Sequence, residues 1–152
     1  MLDPTGVRLF TDALRQHERA RQTPRDLLQD LHVLVVDDHE DTLTVLTTVI
    51  GDFGARVFKS ASARRALEIV RTIRVNVVVS DLMLPGEDGF WLIDQIRRLR
   101  PERGGTVPVV AVTAHRYLYD PTHISEKGFE AYLTKPIDPF DLVRTVARLV
   151  GR

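Results

Sequence analysis

Three acids, one hydroxyl and one ammonium group stand at the ends of apolar runs, and their types and spacing could support chemistry. Asp37 and Asp38 close VLVVDD, Asp81 closes VVVSD, Thr113 closes VPVVAVT and Lys135 follows AYLT. Carboxylates that lie close together repel each other and are tolerated when a cation or a proton compensates them. The set therefore favours a hard divalent metal with oxygen ligands, and Mg²⁺ fits best.

The lysine and the threonine add groups that suit phosphoryl oxygens. Lys135 offers a point charge and Thr113 a rotatable hydroxyl donor. Phosphoryl transfer spreads negative charge over oxygens in its transition state, so this combination predicts phosphoryl chemistry. Asp81 is the preferred nucleophile because it stands alone at its strand end, whereas the adjacent pair is suited to holding metal. A carboxylate nucleophile would form an aspartyl phosphate.

The elements that position these residues alternate between strand and helix from Leu31 onward. Apolar runs predict five strands, at residues 33–36, 55–59, 76–80, 107–112 and 131–134. Helical spacing follows each run, and Ser62 and Asp138 are predicted N-terminal caps. Right-handed crossovers turn this (βα)5 order into an open, doubly wound, five-stranded parallel sheet of the α/β class. Its functional crevice is expected at the carboxyl ends of the strands.

Composition limits the classes of protein. The chain has 152 residues, 43% of them hydrophobic, which suits a single domain core. Because 21 basic residues balance 21 acidic ones, neither nucleic acid nor membrane is expected as a partner. The absence of cysteine excludes disulfides and thiolate metal sites, and no signal-like start or long apolar run is present. We expect a cytoplasmic protein. The five histidines lack metal-ligand spacing, and His39 is expected to face solvent.

The first 30 residues differ from the rest and are interpreted as an N-terminal extension, a partly helical linker. A helix is predicted from Val7 to about Arg21, and a second short helix could start at Thr23-Pro24. A linker and a docking or dimerisation helix both stay open. The domain proper is predicted over residues 31–152.

From about Leu31 to Gly151 the chain resembles the receiver domain of two-component response regulators, which have a CheY-like, flavodoxin-like fold. The resemblance rests on an acidic pair, an acceptor Asp with its turn, a Thr and a Lys-Pro, in that order. These motifs are Asp37-Asp38, Asp81, Pro85 to Gly89, Thr113-Ala114 and Lys135-Pro136.

The resemblance implies that Asp81 accepts a phosphoryl group from a histidine kinase or a histidine phosphotransfer protein, in signalling or phosphorelay. The domain would catalyse only its own phosphorylation and dephosphorylation and would not be a turnover enzyme. Asp38 would bind Mg²⁺ or Mn²⁺ directly and Asp37 more through water. Asp81 and the backbone carbonyl of Met83 would complete the ligands.

The resemblance also implies a switch. Thr113 and Lys135 would contact the phosphoryl oxygens, and Thr113 with Tyr132 would couple the site to the surface of the fourth helix, fifth strand and fifth helix. A homodimer could form through that surface or through the N-terminal helix. Met83 and His115 hold the positions that tune dephosphorylation. Met83 is apolar and cannot position a water, whereas His115 could.

The segment after Thr113 departs from the family pattern. Pro121 would break a regular fourth helix, so a short helix capped by Asp120 is predicted from Pro121 to about Lys127. An extended loop is predicted from His115 to Tyr119, which would remodel the output face.

Two other functions compete with a phosphorylated receiver. One is a degenerate receiver that binds proteins independently of phosphorylation. The other is an Asp-nucleophile phosphatase, which resembles haloacid dehalogenases and needs a second acid two residues after the nucleophile. Met83 occupies that position, which argues against turnover. Whether the receiver stands alone or belongs to a larger chain such as a hybrid kinase is left open.

Overall fold

Strands and helices alternate along the described chain, which comprises residues 23–114 and 120–152 of a computed structural model. The strands are β1 (His32–Val36), β2 (Arg56–Ser60), β3 (Val77–Asp81), β4 (Val109–Thr113) and β5 (Ala131–Thr134). The helices are α1 (Glu40–Asp52), α2 (Ala63–Thr72), α3 (Gly89–Arg97), α4 (Pro121–Glu126) and α5 (Pro139–Leu149). A short 3-10 helix at Pro101–Arg103 precedes β4. The predicted (βα)5 order is confirmed.

All five strands are parallel and pair in the order β2-β1-β3-β4-β5. The chain moves outward from β1 to β2, then crosses back to β3 on the other side of β1. The strand order therefore reverses between β1 and β3, which places the crevice of this sheet at their carboxyl ends. The predicted doubly wound, flavodoxin-like sheet is confirmed.

Helices cover both faces of the sheet and enclose two apolar layers. Successive side chains of a strand point to opposite faces. Val33 and Val35 of β1 therefore pack in the layer beneath α1 and α5, whereas Leu34 and Val36 pack beneath α2 and α3. The central strands β3 and β4 are buried throughout, and the edge strand β5 is half-buried at all four positions.

Acid and hydroxyl caps begin four of the helices. The side chains of Ser62, Asp88, Asp120 and Asp138 accept backbone N–H groups in the first turns of α2, α3, α4 and α5. Asp120 accepts the N–H of Thr122 at 3.0 Å. Pro121 takes the first helical position, where its missing N–H costs nothing. The predicted short fourth helix is confirmed, whereas the predicted loop at residues 115–119 lies outside the described residues.

Three strands, β2, β3 and β4, end one residue later than predicted, and the ends of β3 and β4 bear on the site. β3 and β4 were expected to end at residues 80 and 112, but parallel pairing continues through Asp81 and Thr113. Side-chain patterning locates a strand end only approximately, because backbone hydrogen bonding does not depend on side-chain polarity. Both predicted site residues, Asp81 and Thr113, are therefore held within the sheet.

Residues 23–30 pack against the domain through turns, where a second short helix was considered. The Leu27 N–H donates to the Pro24 carbonyl, and Asp30 has a left-handed φ of 64°. The backbone hydrogen bonds within this segment span three residues, as in turns, and Arg152 donates to the carbonyls of Leu27 and Gln29 at 3.3 and 2.7 Å. Leu28 is fully buried in the layer of α1 and α5. The predicted helix at residues 7–21 lies outside the described residues, and the boundary at residue 31 stays a prediction.

Arg97 joins α3 to the loops before β4 and β5. Its guanidinium donates to the carbonyls of Gly105, Val107 and Gly128 at 2.7 to 3.0 Å. It also donates to both carboxylate oxygens of Glu130 at 2.8 and 3.1 Å. This network fixes the loops that lead into β4 and β5. None of the described helices is long and apolar enough to cross a membrane.

Candidate functional site

The carboxyl ends of β1, β3, β4 and β5 bring the predicted site residues to one edge of the sheet. Asp81 is the last residue of β3 and pairs with Val112. Thr113 ends β4 and pairs with Thr134, the residue before Lys135. Asp37 follows β1, and its N–H donates to the Ser60 carbonyl at 3.1 Å. Backbone hydrogen bonding at the strand ends therefore fixes the Cα positions of these predicted site residues.

Lys135 lies between two buried carboxylates. Its Nζ donates to Asp37 Oδ2 at 2.8 Å and to Asp81 Oδ2 at 3.0 Å. Both acids are almost fully buried, and the Lys135 side chain is 18% exposed. Desolvation lowers the pKa of Lys135, but its hydrogen bonds to Asp37 and Asp81 and the field of both carboxylates outweigh it, so the pKa lies above the ordinary lysine value. The lysine is a cation at neutral pH.

Backbone donors hold the other oxygen of each acid. Asp81 Oδ1 accepts the N–H of Met83 at 3.1 Å, and Asp37 Oδ1 accepts the N–H of His39 at 2.8 Å. Each carboxylate is therefore fixed on one side by the chain and on the other by Lys135. The orientation of the Asp81 carboxylate is set before any ligand binds.

The turn after β3 packs tightly against the end of that strand. Gly89 begins α3, and its N–H donates to the Leu82 carbonyl at 3.0 Å. A Cβ at this position would lie 2.6 Å from the Asp81 carbonyl oxygen and 2.9 Å from the Leu82 Cα. Only glycine fits there. Gly86 in the same turn has a φ of 75°, which also favours glycine.

Four side chains could share one metal ion. Ligand atoms of Asp37, Asp38, His39 and Asp81 all lie within 4.8 Å of one another. Carboxylate oxygens are the ligands that Mg²⁺ prefers, so the donor set fits the predicted ion. The sequence interpretation missed His39. Its ring is 66% exposed, as expected, but Nδ1 lies 3.1 Å from Asp37 Oδ1. Its position beside an acidic pair was the available signal.

A cavity of about 400 Å³ opens over the acids and is lined by His39, Thr42, Asp81, Met83, Ala114 and Lys135. Thr113 is fully buried beside it, and its carbonyl accepts the N–H of Lys135 at 2.8 Å. Tyr132 is half-buried in β5 against the layer of α2 and α3. His115 lies outside the described residues. A second cavity of about 500 Å³, between residues 70–76 and 101–108, lies at the opposite ends of the strands and contains no predicted site residue.

The fold and the site together define a doubly wound α/β domain with buried, cation-compensated acids at the carboxyl edge of its sheet. The chain belongs to the response regulator receiver domain family, whose profile matches residues 33–147. The resemblance stated from the motifs is thus confirmed.

Two curated relatives illustrate the range of chains that carry this domain. The "Uncharacterized 14.6 kDa protein in sodA1 3'region" of Leptolyngbya boryana is 39% identical over 119 residues, covering 78% of this chain and 89% of the relative. The sensor histidine kinase GacS of Pseudomonas protegens is 35% identical over 136 residues, covering 88% of this chain and 15% of GacS. The chain therefore matches nearly all of one protein and a small part of another.

Among solved structures, one with a bound metal bears on the site. It is the receiver domain of sensor histidine kinase PA1611 from Pseudomonas aeruginosa, with a magnesium ion coordinated in the active site cleft. The TM-score is 0.73 at 28% identity, covering 81% of this chain and 99% of that one.

Proposed function

We propose that this domain is a phosphorylatable receiver in which Asp81 accepts a phosphoryl group from a histidine kinase or a histidine phosphotransfer protein. The observation that carries the proposal is the Lys135 ammonium bonded to two buried carboxylates, Asp37 and Asp81, at the crevice of the sheet. In the transfer, a P–N bond of the phosphohistidine breaks as a P–O bond to Asp81 forms. Attack of water at phosphorus later releases phosphate and restores the carboxylate.

The metal ligands are proposed to be Asp38, Asp81 and the backbone carbonyl of Met83, with Asp37 acting more through water. Oxygen ligands of this kind bind Mg²⁺ well and can also bind Mn²⁺. When bound, the ion would neutralise charge on the phosphoryl group. The magnesium-bound receiver of PA1611 supports this assignment by similarity.

Lys135 and Thr113 are proposed to hold the phosphoryl oxygens. Lys135 Nζ already points at Asp81 Oδ2, so phosphoryl oxygens added there would come within its reach. The Thr113 backbone is bonded to Lys135, and Lys135 directly follows the strand that holds Tyr132. A charge change at Asp81 could therefore reach the surface of α4, β5 and α5 through Thr113 and Tyr132. That surface is also where we expect partners or a homodimer to bind.

A protein donor would approach across α1. Val45 and Met83 are the large apolar side chains that are exposed within the described residues, at 52% and 47%. Thr42 and Met83 line the cavity over Asp81, and Val45 lies one turn beyond Thr42 on α1. An apolar contact beside the acceptor would position the donor histidine, and the bulky Met83 would shield Asp81 from water.

The arrangement supports a switch and gives no support to a turnover phosphatase. Met83 lies where a phosphatase of the Asp-nucleophile type needs its second acid, so no side chain there can protonate a leaving group. Similarity to a short protein and to part of a sensor kinase is compatible with both a free-standing receiver and a module of a larger chain. The proposed location is cytoplasmic.

Acetyl phosphate with Mg²⁺ tests the proposal by intact-protein mass spectrometry. The wild type should gain one phosphoryl group, EDTA should abolish the gain, and Asp81→Asn should gain none. Asp94→Asn is the matched control, because Asp94 is an exposed aspartate of α3 that pairs with Arg98 on the surface. Equal gain in both variants, or no gain in the wild type, would defeat the assignment of Asp81.

A further inference from the structure

We propose that His39 is a nitrogen ligand of the metal site and makes the site favour late first-row divalent cations over Mg²⁺. The inference rests on the proposed metal site formed with Asp37, Asp38 and Asp81. The inference concerns the selectivity of that site among divalent cations, to which a nitrogen ligand would contribute besides the carboxylates.

The distances around His39 match those between neighbouring ligands of one ion. Two adjacent ligands of an octahedral ion with bonds of about 2.1 Å are about 3.0 Å apart, and opposite ligands are about 4.2 Å apart. His39 Nδ1 lies 3.1 Å from Asp37 Oδ1 and 3.4 Å from Asp38 Oδ1. All four ligand atoms, including one from Asp81, lie within 4.8 Å. Small side-chain rotations would bring His39 Nδ1 onto one coordination sphere with oxygens of Asp38 and Asp81, while Asp37 would act through water as proposed above.

The His39 ring forms a hydrogen bond with Asp37 Oδ1 at 3.1 Å, but two other donors also hold that carboxylate. The backbone N–H of His39 already donates to Asp37 Oδ1 at 2.8 Å, and Lys135 holds Asp37 Oδ2. His39 stands at the N-cap position of α1, but its side chain makes no capping hydrogen bond. The ring is 66% exposed, so little burial is lost when it turns toward an ion. Removing the imidazole should therefore leave the carboxylates where they are.

The chemistry of the donors gives the direction of selectivity. Mg²⁺ prefers oxygen ligands and gains little from an imidazole, whereas Ni²⁺ and its neighbours bind imidazole well. Affinity for a mixed nitrogen and oxygen site rises from Mn²⁺ to Ni²⁺. The contribution of His39 should therefore be negligible for Mg²⁺, small for Mn²⁺ and large for Ni²⁺.

Titration calorimetry on the whole protein and on His39→Asn, with Mg²⁺, Mn²⁺ and Ni²⁺, tests the graded effect. His39→Asn should weaken Ni²⁺ binding about tenfold or more, since removing even an outer-shell partner costs 10–100-fold. Mg²⁺ affinity should change little and Mn²⁺ affinity by an intermediate factor. His123→Asn, an exposed histidine of α4, is the control and should leave all three affinities unchanged.

A spectroscopic readout identifies the ligand directly. Electron spin-echo modulation of bound Mn²⁺ should show an imidazole nitrogen in the wild type and in His123→Asn, but not in His39→Asn. Equal weakening of all three ions would show that His39 only positions Asp37, and no change with any ion would remove it from the site. Either result overturns the inference. Phosphorylation of Asp81 in Mg²⁺ is measured separately. If the protein is still phosphorylated, a negative result concerns only the role of His39 and not the proposed function.

Discussion

Replacing Lys135 by methionine should release the repulsion between Asp37 and Asp81 that the ammonium now offsets. Methionine keeps an unbranched stem of similar length, so the substitution removes a charge and two hydrogen bonds more than it removes packing. The two acids are held by backbone donors and cannot simply separate. The folded state of the variant must therefore accommodate two buried carboxylates without their shared cation.

The distance between the acids sets the size of the effect. Their ligand oxygens lie within 4.8 Å. Two unit charges at that separation repel by about 3.5 kcal/mol at an effective dielectric constant of about 20. Removing one member of a buried ion pair typically costs about 3–5 kcal/mol, which agrees with this figure. Domains are stable by about 5–15 kcal/mol, so the loss should be large in any unfolding curve.

Urea unfolding at neutral pH, in EDTA and in millimolar Mg²⁺, measures both halves of the prediction. In EDTA, Lys135→Met should unfold at clearly lower urea than the wild type. Mg²⁺ should stabilise the variant more than the wild type, because the ion no longer shares the site with an ammonium and so binds the folded state more tightly. Lys59→Met, an exposed lysine of β2, is the control and should differ little from the wild type in either condition.

Two results would refute the reasoning. A loss below about 1 kcal/mol in EDTA, the size typical of a surface pair, would mean that the carboxylates are not dependent on Lys135. An equal Mg²⁺ increment in variant and wild type would mean that the ammonium and the metal do not compete electrostatically.

Three further predictions concern the pH dependence of stability, the turn after β3 and the loops that Arg97 holds. Folding raises the pKa of Lys135, so the contribution of this lysine to the free energy of unfolding is fully present below the ordinary lysine pKa. That contribution is lost as the pH rises through the higher pKa of the folded state. In urea unfolding, the wild type should therefore lose its greater stability relative to Lys135→Met only at strongly alkaline pH. Gly89→Ala brings a Cβ to 2.6 Å from the Asp81 carbonyl oxygen and should lower the free energy of unfolding by about 1–3 kcal/mol and slow phosphorylation by acetyl phosphate. Gly51→Ala is the control: nothing lies within 4 Å of its Cβ, so this helix substitution should be neutral or slightly stabilising. Arg97→Met should cost about 2–4 kcal/mol in thermal or urea unfolding because part-buried carbonyls lose their donor. Arg98→Met, which breaks a surface pair with Asp94, should cost about 0.5 kcal/mol or less.

The sheet and the site could be predicted because local sequence determines both. Apolar runs buried on both faces identify central strands, and parallel strands place their carboxyl ends at one edge. The positions of Asp81, Thr113 and Lys135 at strand ends therefore suffice to predict that they lie at one edge of the sheet. The short α4 was equally accessible, because Asp120 and Pro121 fix a helix start by their own chemistry.

Other features depend on partners that are remote in sequence. Hydrogen bonds from Arg144 and Arg152, more than 110 residues away, hold the turns at residues 23–30. No local sequence pattern predicts these hydrogen bonds. Arg97 reaches Glu130 across 33 residues, although its sequence position suggests an ordinary exposed helix cation. The rotamer of the His39 ring depends on Asp37 and Asp38, so spacing rules for metal ligands do not detect it.

The charge arrangement explains why one lysine and one metal can serve the same pair of acids. Lys135 contacts the Oδ2 atoms of Asp37 and Asp81, while the Oδ1 atoms meet backbone donors and, at Asp37, the His39 ring. The ammonium and a metal would thus act on different sides of the carboxylates and need not exclude each other. A phosphoryl group on Asp81 would add negative charge between the two cations, where both attract it. The proposed reaction therefore increases the number of favourable charge contacts in a site whose geometry is already fixed by four strand ends.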